Sequence, residues 1–192
     1  MLPETLHQLR ADFDARSKGS LALPMAGAIV WAVIAVLGMI LPEKTAILAL
    51  VFATGAIFPL AIGIARARGE ELLGNTNPLA RLMAAAVLMV NLLWALHVPL
   101  FLIVPQFIPL SIGIGLGLHW VIYGWIIKHP LGVQHAIGRS LGLVAVWFAL
   151  PDYRVTACAV VVVAAYLVTL VQMRARLVAA DANSTKSLQA TA

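Results

Sequence analysis

Of the polar side chains in apolar stretches, which include Thr54, Tyr166, Thr169 and Gln172, six could hold a proton or a small ligand: Asn91, His97, Ser111, His119, Tyr123 and Arg139. Ser111, Gly115, His119 and Tyr123 recur every fourth residue, so on a helix they form one stripe with a glycine-sized gap in it. An imidazole titrates near neutral pH, so His119 beside Asn91 and Tyr123 could bind or relay a proton or cation in a pocket open to the cytoplasm. The same three groups could instead clip two helices together, a bond of about 1 kcal/mol in a membrane. His97 precedes Val98-Pro99, where proline frees the carbonyl of Ala95, and this backbone acceptor is the simplest use for its ring. Arg139 must snorkel to the interface, meet a lipid phosphate or bind an anionic ligand.

What is missing limits the chemistry further. None of the eight acidic residues falls inside an apolar run, which excludes the buried carboxylate that a proton antiporter or an intramembrane aspartyl protease needs. His-Glu-x-x-His is absent, and Glu70-Glu71 reads as a solvated charge run. Ser111 with His97 is the one pair an enzyme could use, and it lacks an orienting carboxylate. The depths of His97 and His119 differ by about 8 to 10 Å, too far for two axial ligands of one haem. His129 and His135 match no zinc spacing, and the single cysteine, Cys158, makes no intramolecular disulfide. No cofactor and no metal are expected.

The elements that position these groups follow from composition. The 192 residues are 62% hydrophobic and 11% charged, against about 25% charge in a soluble domain. Too few charges remain to clothe a soluble globule, and a nucleic-acid binder is excluded with it. The chain reads as an all-α polytopic membrane protein in the lipid bilayer. Apolar runs cover 21–41, 45–65, 82–104, 107–127, 137–150 and 155–173, separated by prolines 42, 105, 130 and 151. Five have roughly the length needed for about 30 Å of hydrocarbon. The fifth run is short and spans only by starting earlier, drawing Gln134, His135 and Arg139 towards the interface. Six transmembrane helices in one bundle follow, over residues 21–176. Residues 1–20, with Leu6, Leu9 and Phe13 on one face, predict a short amphipathic helix on the cytoplasmic membrane surface, and residues 177–192 a disordered cytoplasmic tail.

Alternate connections carry eleven of the thirteen Lys and Arg residues, Arg139 included, with Lys44 and Arg154 opposite. Both termini are therefore placed in the cytoplasm. A hairpin about Pro105 sets Asn91 opposite His119, and His97 near Ser111. Gly113, Gly117 and Gly124 offer a close-packing face for another span or for a second copy of the chain, hence a homo-oligomer. Gly55, Pro59 and Gly63 form a similar small stripe with a kink. The five tryptophans, Trp31, Trp94, Trp120, Trp125 and Trp147, suit interfacial anchors in part.

Arg16-Ser17-Lys18, Asn77-Pro78-Leu79 and His119-x-x-Tyr123-Gly124-Trp125 resemble a family of small bacterial inner-membrane proteins of no known activity, over residues 9–170. The resemblance implies the six-helix layout and carries no functional residues. Transport or binding of a small solute or ion through a pocket between spans three and four is the leading expectation. A membrane-embedded enzyme acting on a lipid or amphiphile, or a structural subunit, are the alternatives.

Overall fold

A computed structural model describes residues 5–190 except 18, 20 and 73, with side chains to residue 179. Lys18 of the first motif, residues 1–4 and residues 191–192 lie outside the described residues. The described chain is all helical and has no strand. Helix α1 (Leu6–Ser17) precedes α2 (Ala22–Ile40), which ends at the extended Leu41-Pro42 turn. Next, α3 (Glu43–Gly55) and α4 (Ile57–Arg68) meet at a 41° bend. Pro59 has no N–H to offer the Gly55 carbonyl, which accounts for a break at this point.

Helix α5 (Pro78–Leu92) starts on Asn77, whose side chain accepts from the Leu79 amide at 2.8 Å, with proline in the first helical position. After a one-residue break come α6 (Trp94–Ile103), then α7 (Ile108–Gly115), α8 (His119–Ile126), α9 (Leu131–Ala149) and α10 (Arg154–Ala190). Helix α10 runs on past residue 176 to Ala190.

Four helical stretches, Ala22–Ile40, Pro78–Ile103, Pro105–Ile126 and Pro151–Ala179, are long and apolar enough to cross a membrane, and the bent pair α3–α4 makes a fifth. Helix α9 has 19 residues but carries Gln134, His135, Arg139 and Ser140.

The connections gather at two ends. At one, Arg10 donates to the carbonyls of Ile126 and Trp125, Asn77 donates to the Leu9 carbonyl, and Arg176 pairs with Asp14. At the other, Trp147 Nε1 donates to the Gln106 carbonyl, and Thr156 Oγ1 to that of Ala35. Helices α2 and α10 form the central pair, with Gly27 giving room for the Tyr166 ring. Helix α9 packs on α10, α7 and α8, whereas α5 and α6 lie at the edge, with Leu88, Leu92, Leu102 and Ile103 exposed.

Several expectations need correction. Helix α1 does not stand apart from the spans: Arg10, Asn77 and the buried Phe13 dock it on the bundle. Glu70 is not a solvated charge: its side chain is 3% exposed, pairs with Arg68, and accepts from the Ala22 amide at the start of α2. An anion suits the positive end of a helix. The glycine face turns inward onto α9: a Cβ at Gly113 would meet Leu143, one at Gly117 Arg139, and one at Gly124 the Gly132 backbone. The face therefore packs on another helix of the same chain, the first of its two expected uses, and not on a second copy. Gly55 and Gly63, by contrast, face open space. Trp31, Trp120 and Trp147 are buried, and Trp125, half exposed beneath Arg10, is the one of the five that keeps an anchor's setting.

Candidate functional site

The site is built around an interruption in the fourth apolar run. Between α7 and α8 the backbone tightens, and the amides of Gly117 and Leu118 reach back three residues, to Ile114 and Gly115. The carbonyl of Gly113 thereby loses the Gly117 amide as a partner. A buried carbonyl must be satisfied from elsewhere. Arg139, from α9, supplies its Nε at 2.7 Å. A bare Gly117 makes this possible, because a Cβ there would lie 3.0 Å from Arg139 Cδ.

Leu131, His135, Arg139, Leu143 and Trp147 recur every fourth residue and are all buried, so Arg139 projects into the bundle at 1% exposure. The expectation that His135 and Arg139 drift to the interface fails because α9 starts at Leu131, which puts Arg139 near mid-helix. Its guanidinium carbon stands 5.6 Å from the Trp31 ring and 5.4 Å from the Tyr166 ring, within the range of cation–π attraction.

His135 completes the arrangement, and its tautomer follows from counting protons. Thr169 Oγ1 donates its one hydrogen to the Ala165 carbonyl at 2.9 Å. The 2.8 Å contact between Thr169 Oγ1 and His135 Nδ1 therefore has Nδ1 as donor. In the neutral ring Nε2 is then an acceptor, facing Arg139 Nη1 at 3.5 Å. Trp120 stacks on the same imidazole, with centroids 4.4 Å apart.

Two cavities flank this cluster. One of about 290 Å³ lies beneath α1 and is walled by Met83 and Val87 of α5, Pro24, His119, Trp120 and Tyr123. The other, about 500 Å³, is a groove between α9 and α10 containing His135, Gly138, Arg139 and Thr169, with the Gln172 to Gln134 hydrogen bond (3.1 Å) bridging the two helices. Trp120 lines the first cavity and stacks on His135, which lines the second, so the cluster forms the partition between them.

The residues singled out from sequence divide accordingly. His119 and Tyr123 line the first cavity, and Tyr123 donates to the Gly19 carbonyl at 3.4 Å. Asn91 does not face His119: it is exposed and bonds the Val87 carbonyl of its own helix at 2.8 Å, so Val87 occupies the cavity wall instead. Ser111 likewise bonds its own helix, at Ile108. His97 is buried against Trp94, with Nε2 3.2 Å from where a Gly115 Cβ would lie, and no hydrogen bond ties its ring to the Ala95 carbonyl. Arg139 is in the cluster. Tyr166 and Thr169, polar groups of the sixth apolar run, complete it with His135, Trp31 and Trp120, none of the five having been a candidate ligand-binding residue, and the four-residue repeat of buried positions along α9 is the signal that exposes His135.

Residues 6–176 match DUF7010, a family of unknown function, and the chain belongs to that family. No curated protein and no solved structure matches it.

Proposed function

We propose that the chain is a six-span protein of the bacterial inner membrane, with both termini cytoplasmic, and that it binds a small solute within the bundle and moves it across. The topology rests on charge and length. With Arg139 removed to the core, ten Lys and Arg residues remain on one set of connections against Lys44 and Arg154 on the other. The 19 residues of α9 reach about 28 Å at 1.5 Å each, close to a bilayer's hydrocarbon thickness. A periplasm-only reporter fused after Arg176 should be silent; its activity would refute the even number of spans.

The observation that carries the solute reading is the broken helix α7–α8 flanked by a cavity. Interrupted backbone at membrane depth is tolerated where it is buried in protein or lines a cavity, and transporters place their sites at such breaks. Ala84 of α5 also lines this cavity, and filling it by Ala84→Trp in purified proteoliposomes should abolish a flux that the native chain supports. Leak no faster than protein-free vesicles, across a panel of cations, anions, sugars and amino acids, would refute transport.

A further inference from the structure

We infer that the Arg139 cluster is a binding site for a compact monoanion, a small carboxylate or an inorganic ion of similar size. This rests on the solute-binding reading above and names the class of solute. The buried guanidinium carries a full positive charge, and no Asp or Glu bonds to it. Its partners are the Gly113 carbonyl, the His135 ring, the Trp31 face and both the ring and the hydroxyl of Tyr166, which orient the charge without neutralising it. A buried charge with no opposite charge is destabilising, so the arrangement calls for one negative charge from outside the chain.

A second, independent observation points the same way. Three buried N–H groups in this one cluster have no acceptor: Arg139 Nη2, Trp31 Nε1 and Trp120 Nε1. Guanidinium and indole nitrogens only donate, so these three call for an acceptor that no described group supplies to them in this structure. A cation is repelled, and a neutral acceptor would satisfy the donors while leaving the charge. A dianion would replace one uncompensated charge by another. A monoanion balances both the charge and the donors. Trp120 and Arg139 each line a cavity, on opposite sides of the cluster, so a ligand would have to displace side chains only at the cavity walls to reach these donors.

The test uses the full chain in uncharged detergent at pH 8, with sodium acetate, benzoate, chloride or nitrate titrated against sodium sulfate or phosphate at equal ionic strength. Thermal stability and tryptophan fluorescence are read together. Monoanions should raise the melting temperature saturably below about 100 mM, a hundredfold above a millimolar Kd, and alter the emission, whereas sulfate and phosphate should do neither. Which monoanions act separates an organic carboxylate from a halide-type ion. Arg139→Gln should abolish the effect. Because that variant also loses the bond that holds the Gly113 carbonyl, Trp31→Phe and Trp120→Phe serve beside it: each removes one donor and keeps an aromatic ring, and each should weaken binding about fivefold, the loss expected for one hydrogen bond. Absence of a saturable response, an equal response to dianions, or unchanged affinity in both phenylalanine variants overturns the proposal. Binding without flux in vesicles would sink the transport reading alone; flux of neutral solutes without anion binding would sink the anion site alone.

Discussion

Replacing Gly132 by alanine tests whether α8 and α9 approach as closely as the cluster requires. A Cβ there would lie 2.0 Å from the Trp120 carbonyl oxygen, 2.6 Å from the Gly124 amide nitrogen and 2.7 Å from Gly124 Cα. All three are backbone atoms, so no rotamer change can relieve the clash. Ordinary contact begins near 3.5 Å, so the helices must part by about 1 Å or more. Overpacking typically costs about 1 to 3 kcal/mol, and a backbone-to-backbone clash belongs at the upper end. Alanine returns at most about 1 kcal/mol in helix propensity, and less at the second position of a helix. The net loss should be about 2 kcal/mol. Gly138→Ala in the same helix is the control. A Cβ at Gly138 meets nothing within 4 Å, so the same substitution should stabilise by about 0.5 to 1 kcal/mol. Unfolding of both variants in one neutral detergent measures the difference. If Gly132→Ala melted with the native protein, or Gly138→Ala proved equally harmful, the close approach would be wrong.

Three further outcomes follow from named contacts. Asn77→Ala removes the cap of α5 and the bond to the Leu9 carbonyl, so it should lose about 1 kcal/mol and speed amide exchange in α1; Asn77→Ser, which keeps a capping oxygen, should recover the stability but not the slow exchange. Hydrogen bonds from Asn77 and from Arg16 hold the Asp12 carboxyl below its ordinary value of 3.8. A depressed carboxylate stabilises in full above that value and loses its contribution as pH falls through the folded-state value, so protection of α1 amides should drop below pH 3.8, a step that Asp12→Asn removes. Gly117→Val pushes Arg139 off the Gly113 carbonyl and should destabilise by about 2 to 3 kcal/mol with no change in the mass of the detergent-solubilised particle; a change in mass at unchanged stability would restore the glycine face as a contact between copies.

The helices and their ends were largely legible because apolar length and proline act locally. Pro42, Pro105 and Pro151 fall in the turns between helices, and Asn77-Pro78 caps α5 as its residue types imply. The cross-chain pairings were not legible. Setting Asn91 opposite His119 assumes two straight helices, yet breaks at Leu93 and at residues 116–118 change the register on both sides of the hairpin. An asparagine facing the edge of a bundle can satisfy itself on its own helix, as Asn91 does on Val87. The role of Glu70 was hidden for a related reason: its partner, the Ala22 amide, is 48 residues away, and no local pattern marks a carboxylate as the cap of a distant helix.

Arg139 shows how one displaced boundary alters chemistry. Counted from residue 137, it sits beside the interface, where an arginine can reach water or lipid phosphate through its flexible stem. Counted from Leu131, it is eight residues along α9, about 12 Å from the helix start, and that escape is closed. The same shift brings the guanidinium level with the gap in α7–α8, where an unpartnered carbonyl needs a donor, and a bare glycine leaves space for the arginine stem. Helix interruption and buried charge therefore satisfy part of one another's requirement. They do so incompletely: one carbonyl answers one of the guanidinium's N–H groups and none of its net charge. That remainder is what a lysine at 139 would separate, since it preserves the charge but not the planar fork that reaches Gly113 and His135 and, in the proposed site, the anion. Arg139→Lys should thus retain attraction for an anion yet lose stability at the α7–α8 break. A variant that kept native stability and native anion affinity would show that the guanidinium geometry has no part in joining the two.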